Sequence, residues 1–329
     1  MRILITGCCG FIGYHLSSFL LKKKFKVFGI DTLNNYYDIS LKKERLNLLR
    51  KYKNFKFNKI DIGNKKKIKN FFDKNKINLI VNLAAYAGVQ YSLKYPDLYF
   101  NTNEIGFYNI LENAKRKKIK KIIFASSSSV FGNNDLKFAK EGDNTDNPIS
   151  LYAATKKNNE ILASFYAEHF EMQIIGIRFF TAYGPLGRPD LSIYKFADAI
   201  INSRQIILNN NGNHFRDFTY IDDVINCLYR LIRLKKFHKI DEKKNKYFQI
   251  FNLGGGKKIK ITQIVKILFN LLNKKTKVKF GPRKRGDIIS SSSSTLKLTR
   301  NINYKPKTNI NNGLKLFSDW FMNYKKINK

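Results

Sequence analysis

A chain of 329 residues, 43% of them hydrophobic, is long enough for one large or two modest domains with a real core. It holds no run of 18 apolar residues and passes from Met1 directly into a strand-like segment, which argues against a membrane span or cleavable signal and for a cytoplasmic location. The net charge of +38 comes from lysines spread over the whole length, with no basic motif interleaved with aromatics; it argues for a solvated surface that draws in anionic substrates and against a specific nucleic-acid partner.

Arg2 to Thr6 is a short apolar β-type run, followed by Gly7-Cys8-Cys9-Gly10-Phe11-Ile12-Gly13 and an amphipathic stretch through Lys24. Strand, glycine turn and helix in that order suit a dinucleotide. Gly7, Gly10 and Gly13 let the backbone approach a pyrophosphate, and the helix opening at Phe11 and Ile12 offers free N–H groups and a favourable dipole. The chain has three cysteines, two of them adjacent in this turn, so neither a disulfide framework nor metal-ligand spacing is present and no metal is expected. The next strand, Phe25 to Ile30, ends at Asp31, 18 residues after Gly13. A carboxylate there suits the two ribose hydroxyls of NAD and repels the extra phosphate of NADP.

Thr32 to Arg50 reads as an insertion carrying Asn34-Asn35-Tyr36-Tyr37-Asp38 and then a basic helix. A strand closing at Asp61-Ile62, a helix through Phe72 and an apolar strand from Leu79 to Leu83 follow; the last runs into Ala84 and Ala85, small enough for backbone to lie against a flat cofactor. Asn103 with Gly106 opens another helix, and Lys121 to Ala125 is a strand feeding Ser126-Ser127-Ser128-Ser129. Strands alternating with helices to about residue 180 predict an α/β, Rossmann-type doubly wound parallel sheet.

The serine run falls at a strand end, the edge where such sheets place ligands. Ser150-Leu151-Tyr152-Ala153-Ala154-Thr155-Lys156 then sets a phenol and an ammonium four residues apart on a helix, where they share a face. A tyrosine hydroxyl ionises near pH ~10, and a cation held beside it favours the phenolate, so Tyr152 can act as a base. Phe179 to Asp190 is rich in Gly and Pro and breaks the regular pattern; its Arg188 offers a planar guanidinium to a carboxylate or phosphate, or an anchor to backbone carbonyls. Asn213 to Asp223 predicts a strand whose acidic end opens a helix at Val224, with Arg216 aimed at a diphosphate. Lys235 to Lys246 is a charged linker, Ser290 to Ser294 a loop or edge strand, and Leu314 to Tyr324 an amphipathic helix docked on the core. Residues 1–180, with returns at about 217–260, are expected to form the NAD-binding domain, and 181–216 with 261–329 a smaller C-terminal α/β substrate domain.

The glycine turn, Asp31, Asp61-Ile62, Leu83-Ala84-Ala85, the serine run and the Tyr152/Lys156 pair together resemble the extended short-chain dehydrogenase/reductase family of nucleotide-sugar enzymes. Within it, Asn34 to Asp38, Ala87-Gly88-Val89-Gln90-Tyr91-Ser92-Leu93, Ser150 to Lys157, Tyr183-Gly184-Pro185 and Gly187 to Asp190 are most similar to the UDP-glucuronate 4-epimerases. The resemblance implies an isomerase: Tyr152 as base, Lys156 as its partner, and Ser127, with Ser129 near, holding the reacting sugar oxygen. It implies NAD lying along Gly7 to Gly13, Asp31, Asn34, Asp61, Ile62, Leu83, Ala84, Ala85 and Asn103. A UDP-sugar would be held by Thr181, Arg188, Arg216 and Lys284, in a homodimer paired through the helix of Tyr152 and the one before it. The implied reaction is NAD-dependent inversion at C4, through a 4-keto sugar, with UDP-glucuronate as substrate. UDP-glucose or UDP-N-acetylglucosamine epimerisation, UDP-uronate decarboxylation and a non-enzymatic RNA-binding role stay open. The chain departs from the family pattern at Asn82, Tyr86, Phe131, Ala182 and Leu186, which bears on sugar preference more than on catalysis. A 4,6-dehydratase would carry an acidic pair where this chain has Ser128-Ser129.

Overall fold

The computed structural model describes residues 1–133, 138–235, 246–283 and 290–326. In chain order the elements are β1 (Arg2–Thr6), α1 (Phe11–Lys22), β2 (Lys26–Asp31), α2 (Ile39–Arg50), β3 (Phe55–Lys59), α3 (Lys65–Lys74), β4 (Leu79–Asn82), α4 (Val89–Lys94) and α5 (Pro96–Tyr99). A π-helical turn, Phe100–Ile105, leads into α6 (Gly106–Arg116) and β5 (Lys121–Ser127); a 3-10 turn, Ser128–Phe131, precedes α7 (Leu151–His169). There follow β6 (Gln173–Phe179), β7 (Thr181–Tyr183), α8 (Ser192–Ile201), β8 (Ile206–Leu208), β9 (Phe215–Tyr220), α9 (Ile221–Arg233) and β10 (Phe248–Leu253). The chain closes with β11 (Lys258–Lys260), α10 (Ile261–Leu271), β12 (Val278–Phe280), α11 (Leu296–Ile302) and α12 (Ile310–Tyr324).

Seven strands form one parallel sheet in the order β10-β6-β5-β4-β1-β2-β3. Both faces are covered, which is why Ile3-Leu4-Ile5 and Ile80-Val81 are apolar without alternation and buried throughout. Leu16 and Leu20 of α1 pack on one face with α9, and Phe71 and Phe72 of α3 pack on the other with Ile110 and Leu111 of α6. The chain reverses direction across the sheet between β1 and β4, and the crevice above those strand ends is where ligands of open α/β sheets bind. The expected doubly wound sheet is therefore the observed one.

A three-stranded sheet, β11-β9-β7, and a two-stranded one, β12-β8, stand beside it. The chain returns to the large sheet only with β10, whereas Asp217 to Tyr220 and Lys258 to Lys260 pair within the small sheet. The helix expected to open at Val224 starts at Ile221, which puts Asp222 and Asp223 inside its first turn, near the positive dipole end. The helix expected at Asn103 and Gly106 is part of a longer run from Pro96, interrupted by the π-turn. Ser290 and Ser293 bridge to Phe215 and Ala139, an edge-strand role for the second serine run.

Candidate active site

The glycine turn closes over the end of β1. Gly7 sits at φ +69°, where a side chain would be strained, and a Cβ on it would come within 2.8 Å of the Ala84 backbone nitrogen. At Gly13 a Cβ would strike the Gly7 carbonyl oxygen at 2.1 Å, so α1 can pack this close only with glycine there. Asp31 is 8% exposed, and its carboxylate accepts from the Cys9 and Leu33 backbone N–H groups at 3.0 and 2.9 Å. The turn, Asp31, Asn34, Asp61, Ile62, Leu83, Ala84 and Ala85 all line one cavity of about 580 Å³. Close-packed backbone, a carboxylate at the tip of β2 and a small-residue wall fit a dinucleotide that has ribose hydroxyls rather than a phosphate at that end.

The same cavity continues to Ser127, Ser129, Tyr152, Lys156, Thr181 and Arg188. Ser150 caps α7 by accepting from the Ala153 N–H at 3.1 Å, which fixes Tyr152 in the first turn. Along β5, alternation separates the serines. The Ser126 hydroxyl is spent on Glu160, to which it donates at 2.5 Å, while Ser127 hydrogen-bonds Tyr152 and accepts from the Ser129 N–H at 3.1 Å. Burial pushes the Tyr152 hydroxyl above its ordinary value; the Ser127 bond and then the Arg188 guanidinium work the other way. The Lys156 ammonium donates to the Ala125 carbonyl at 2.9 Å, and burial brings it down to about 8. Arg188, from a distant loop, thus joins Tyr152 and Lys156 in the wall of one cavity.

Two of the expected residues are not in the wall of this cavity. Asn103 does not line the cavity: its amide ties the Tyr86 backbone N–H and C=O to the Thr155 hydroxyl, bracing the cavity wall on α7. Arg216 does not line it either; its guanidinium donates to the Phe215 carbonyl and meets the His214 ring. Lys284 lies outside the described residues.

The sequence reading missed the residues that build the Arg188 side. Arg188 makes two bonds to Asp190 and lies 5.4 Å from the centre of the Tyr36 ring. Tyr36 itself donates to the Ala87 carbonyl, and burial raises it to about 12, so it is a neutral donor. Arg45, fully buried in a helix that looked merely basic, donates to Cys9 C=O at 2.9 Å and to Leu186 C=O at 2.7 Å, joining the glycine turn to the Arg188 loop. Its one sequence signal is apolar spacing around it in α2, with Leu41, Leu46 and Leu49 buried alongside. Cys8 and Cys9 also form, with Asp31, a group whose ligand atoms lie within 4.8 Å of one another, which adjacency in sequence had not suggested. Both oxygens of Asp31 are already engaged by backbone N–H groups.

The sheet, the glycine turn, Asp31 and the tyrosine–lysine helix define an extended short-chain dehydrogenase/reductase. Residues 4–317 match the family described as GDP-mannose 4,6 dehydratase. The chain is 40% identical to Protein CapI of Staphylococcus aureus, over 99% of this chain and all of the relative. It is 39% identical to the UDP-glucuronate 4-epimerase of Thermodesulfobacterium geofontis, over 96% and 95% of the two chains. Among solved structures, the UDP-glucuronic acid 4-epimerase of Bacillus cereus in complex with UDP-glucuronic acid and NAD superposes with a TM-score of 0.89 at 29% identity, over 98% of this chain and all of that one. The chain belongs to this family and is an NAD-dependent UDP-sugar 4-epimerase, an isomerase.

Proposed function

We propose that the sugar is UDP-glucuronate, inverted at C4 to UDP-galacturonate. The observation that carries this reading is Arg188: a guanidinium in the cavity wall, near enough to Tyr152 to act on its hydroxyl and aimed by Asp190. A planar guanidinium beside the reacting end of a sugar matches a carboxylate at C5. It serves a second purpose, because the oxidised uronate is a β-keto acid prone to lose CO2, and a clamp keeps its carboxylate out of the reactive orientation.

Bound NAD supplies the hydride acceptor and donor and brings a positive charge into the cavity. Tyr152 takes the proton of the sugar 4-hydroxyl as hydride leaves C4 and returns it when hydride comes back to the other face. Ser127, already bonded to Tyr152, holds the same sugar oxygen, and Lys156 supports the pair from the next turn of α7. Asp31 would accept from the ribose hydroxyls of NAD. Thr181, at the start of β7, and Ser129 complete the wall around the sugar.

Incubation of the purified protein with UDP-glucuronate is expected to give a product of unchanged mass with an axial 4-hydroxyl by proton NMR. Turnover of UDP-glucose or UDP-N-acetylglucosamine alone would refute the uronate reading, and a product lighter by CO2 would make the protein a decarboxylase. Tyr152→Phe is expected to lower kcat by ~10²–10⁴-fold while NAD still copurifies.

We also infer a homodimer. Phe100, Ile105 and Tyr108, with Ile161 and Phe165 of α7, form an apolar set between 40% and 59% exposed on the helices flanking Tyr152. Light scattering is expected to give twice the chain mass, and Phe165→Glu to reduce it. No helix among the described residues is long and apolar enough to cross a membrane.

A further inference from the structure

Tyr36 has no part in the reaction as described, yet it lines the cavity together with Ala87 and Gly88. Its ring is held edge-on by Tyr91, with centroids 4.6 Å apart and planes at 89°, and by Tyr86, at 5.9 Å and 85°. Its hydroxyl donates to the Ala87 carbonyl, and that approach needs glycine at the next position: Gly88 sits at φ +117°, and a Cβ there would come within 2.7 Å of the Tyr36 oxygen. The insertion after β2 is thus locked onto the loop after β4, and β1 with its glycine turn lies between those two strands.

Arg188 rests on this platform. Its Nε and Nη2 donate to the Asp190 carboxylate at 2.9 and 2.5 Å, its central carbon lies 5.4 Å from the centre of the Tyr36 ring, and Nη2 is 3.5 Å from the Tyr36 hydroxyl. The one proton of that hydroxyl is spent on Ala87, so toward the guanidinium its oxygen is an acceptor. Asp190 stands two residues from Arg188 on the same loop and ties the guanidinium only to that loop. Tyr36 comes from another part of the chain and is itself braced on a third, so it sets where the charge stands in the cavity. We propose that Tyr36 is a positioning residue for the epimerase and a determinant of its sugar specificity, holding the Arg188 guanidinium where a sugar carboxylate binds. This rests on the uronate reading of the substrate. A ring beneath a guanidinium attracts it and keeps water from one face, and the attraction is larger where the pair is partly desolvated, as here.

Tyr36→Leu removes the ring and the hydroxyl and leaves Arg188 and Asp190 in place. In NAD-loaded protein it is expected to raise KM for UDP-glucuronate about tenfold and to lower kcat by less than about threefold, while the inhibition constant of UDP, which has no sugar, stays within about twofold. Tyr36→Phe keeps the ring under the guanidinium and is expected to remain within about threefold of wild type. A merely structural role would not produce the coupling: in an Arg188→Gln background, Tyr36→Leu is expected to add less than about twofold to KM. Additive losses in the double variant, or a UDP inhibition constant that rises in step with KM, would overturn the assignment.

A second measurement needs no sugar and separates the two readings. Phenylglyoxal, which modifies accessible guanidinium groups, is applied to the NAD-loaded protein and each arginine is followed by peptide mass spectrometry. Arg188 is expected to react several-fold faster in Tyr36→Leu than in wild type or Tyr36→Phe, with Arg178, 4% exposed behind the large sheet, unchanged as the control for folding. Failure of the wild type to turn over UDP-glucuronate would defeat the functional reading alone, whereas equal labelling of Arg188 in wild type and Tyr36→Leu would defeat the hold of Tyr36 on it.

Discussion

Arg178–Glu160 and Arg188–Asp190 are two arginine–carboxylate pairs ten residues apart in sequence at their arginines, and they do different things. The first is sealed behind the large sheet, 4% and 7% exposed, with two parallel bonds of 2.9 and 2.8 Å. Its remaining directions are filled: Ser126 donates to Glu160, Arg178 donates to the Glu141 carbonyl, and the guanidinium lies 4.8 Å from the centre of the Phe131 ring. It fixes α7 to β5 and β6, and therefore Tyr152 to Ser127. The second pair is 22% and 27% exposed, both partners belong to one loop, and it faces the cavity. Bidentate geometry alone does not mark a ligand site; what marks it is a side of the guanidinium left open toward a space that a ligand fills.

The comparison breaks most visibly at the sealed pair. Arg178→Met leaves Glu160 buried without its partner and is expected to destabilise by about 3–5 kcal/mol, read as a lowered midpoint in denaturant. Pairing it with Glu160→Leu is expected to recover much of that loss, because an apolar pair removes the orphaned charge. At the open pair the effects should reverse in kind. Arg188→Gln is expected to change stability by no more than ~1 kcal/mol but to lower kcat/KM for UDP-glucuronate by roughly 10–10²-fold and leave neutral UDP-sugars little affected, as measured by steady-state kinetics.

The smallest effect concerns the anchoring of the loop. His15 on α1 meets the Pro185 carbonyl at 2.9 Å, and burial lowers its ring to about 4 from an ordinary 6.5. The unfolded chain therefore takes up a proton there that the native state refuses, and this contribution to stability is lost as pH falls from 6.5 toward 4. His15→Gln is expected to flatten that slope by a fraction of the total acid response, measurable as midpoint against pH.

How far the site could be read in advance depended on whether a residue's neighbours are close in sequence. Gly7, Gly13, Asp31, Tyr152 and Lys156 belong to strand–turn–helix units whose geometry follows from spacing, and all line the cavity. For Arg216, alternation along β9 gives a face but not which sheet the strand joins, and it pairs with β7 and β11 in the small sheet.

The sequence by itself determined the parallel sheet, the dinucleotide turn and the tyrosine–lysine helix, since these arise from short-range periodicity, glycine stereochemistry and capping at Ser150. Which charges meet was settled only by the fold: Arg45 with the glycine turn and the Arg188 loop, Arg178 with Glu160, and Arg188 with Asp190 in the wall of the cavity that Tyr152 lines. Periodicity is a property of a few consecutive residues, whereas a buried charge takes its energy from whatever the fold brings within a few ångströms of it.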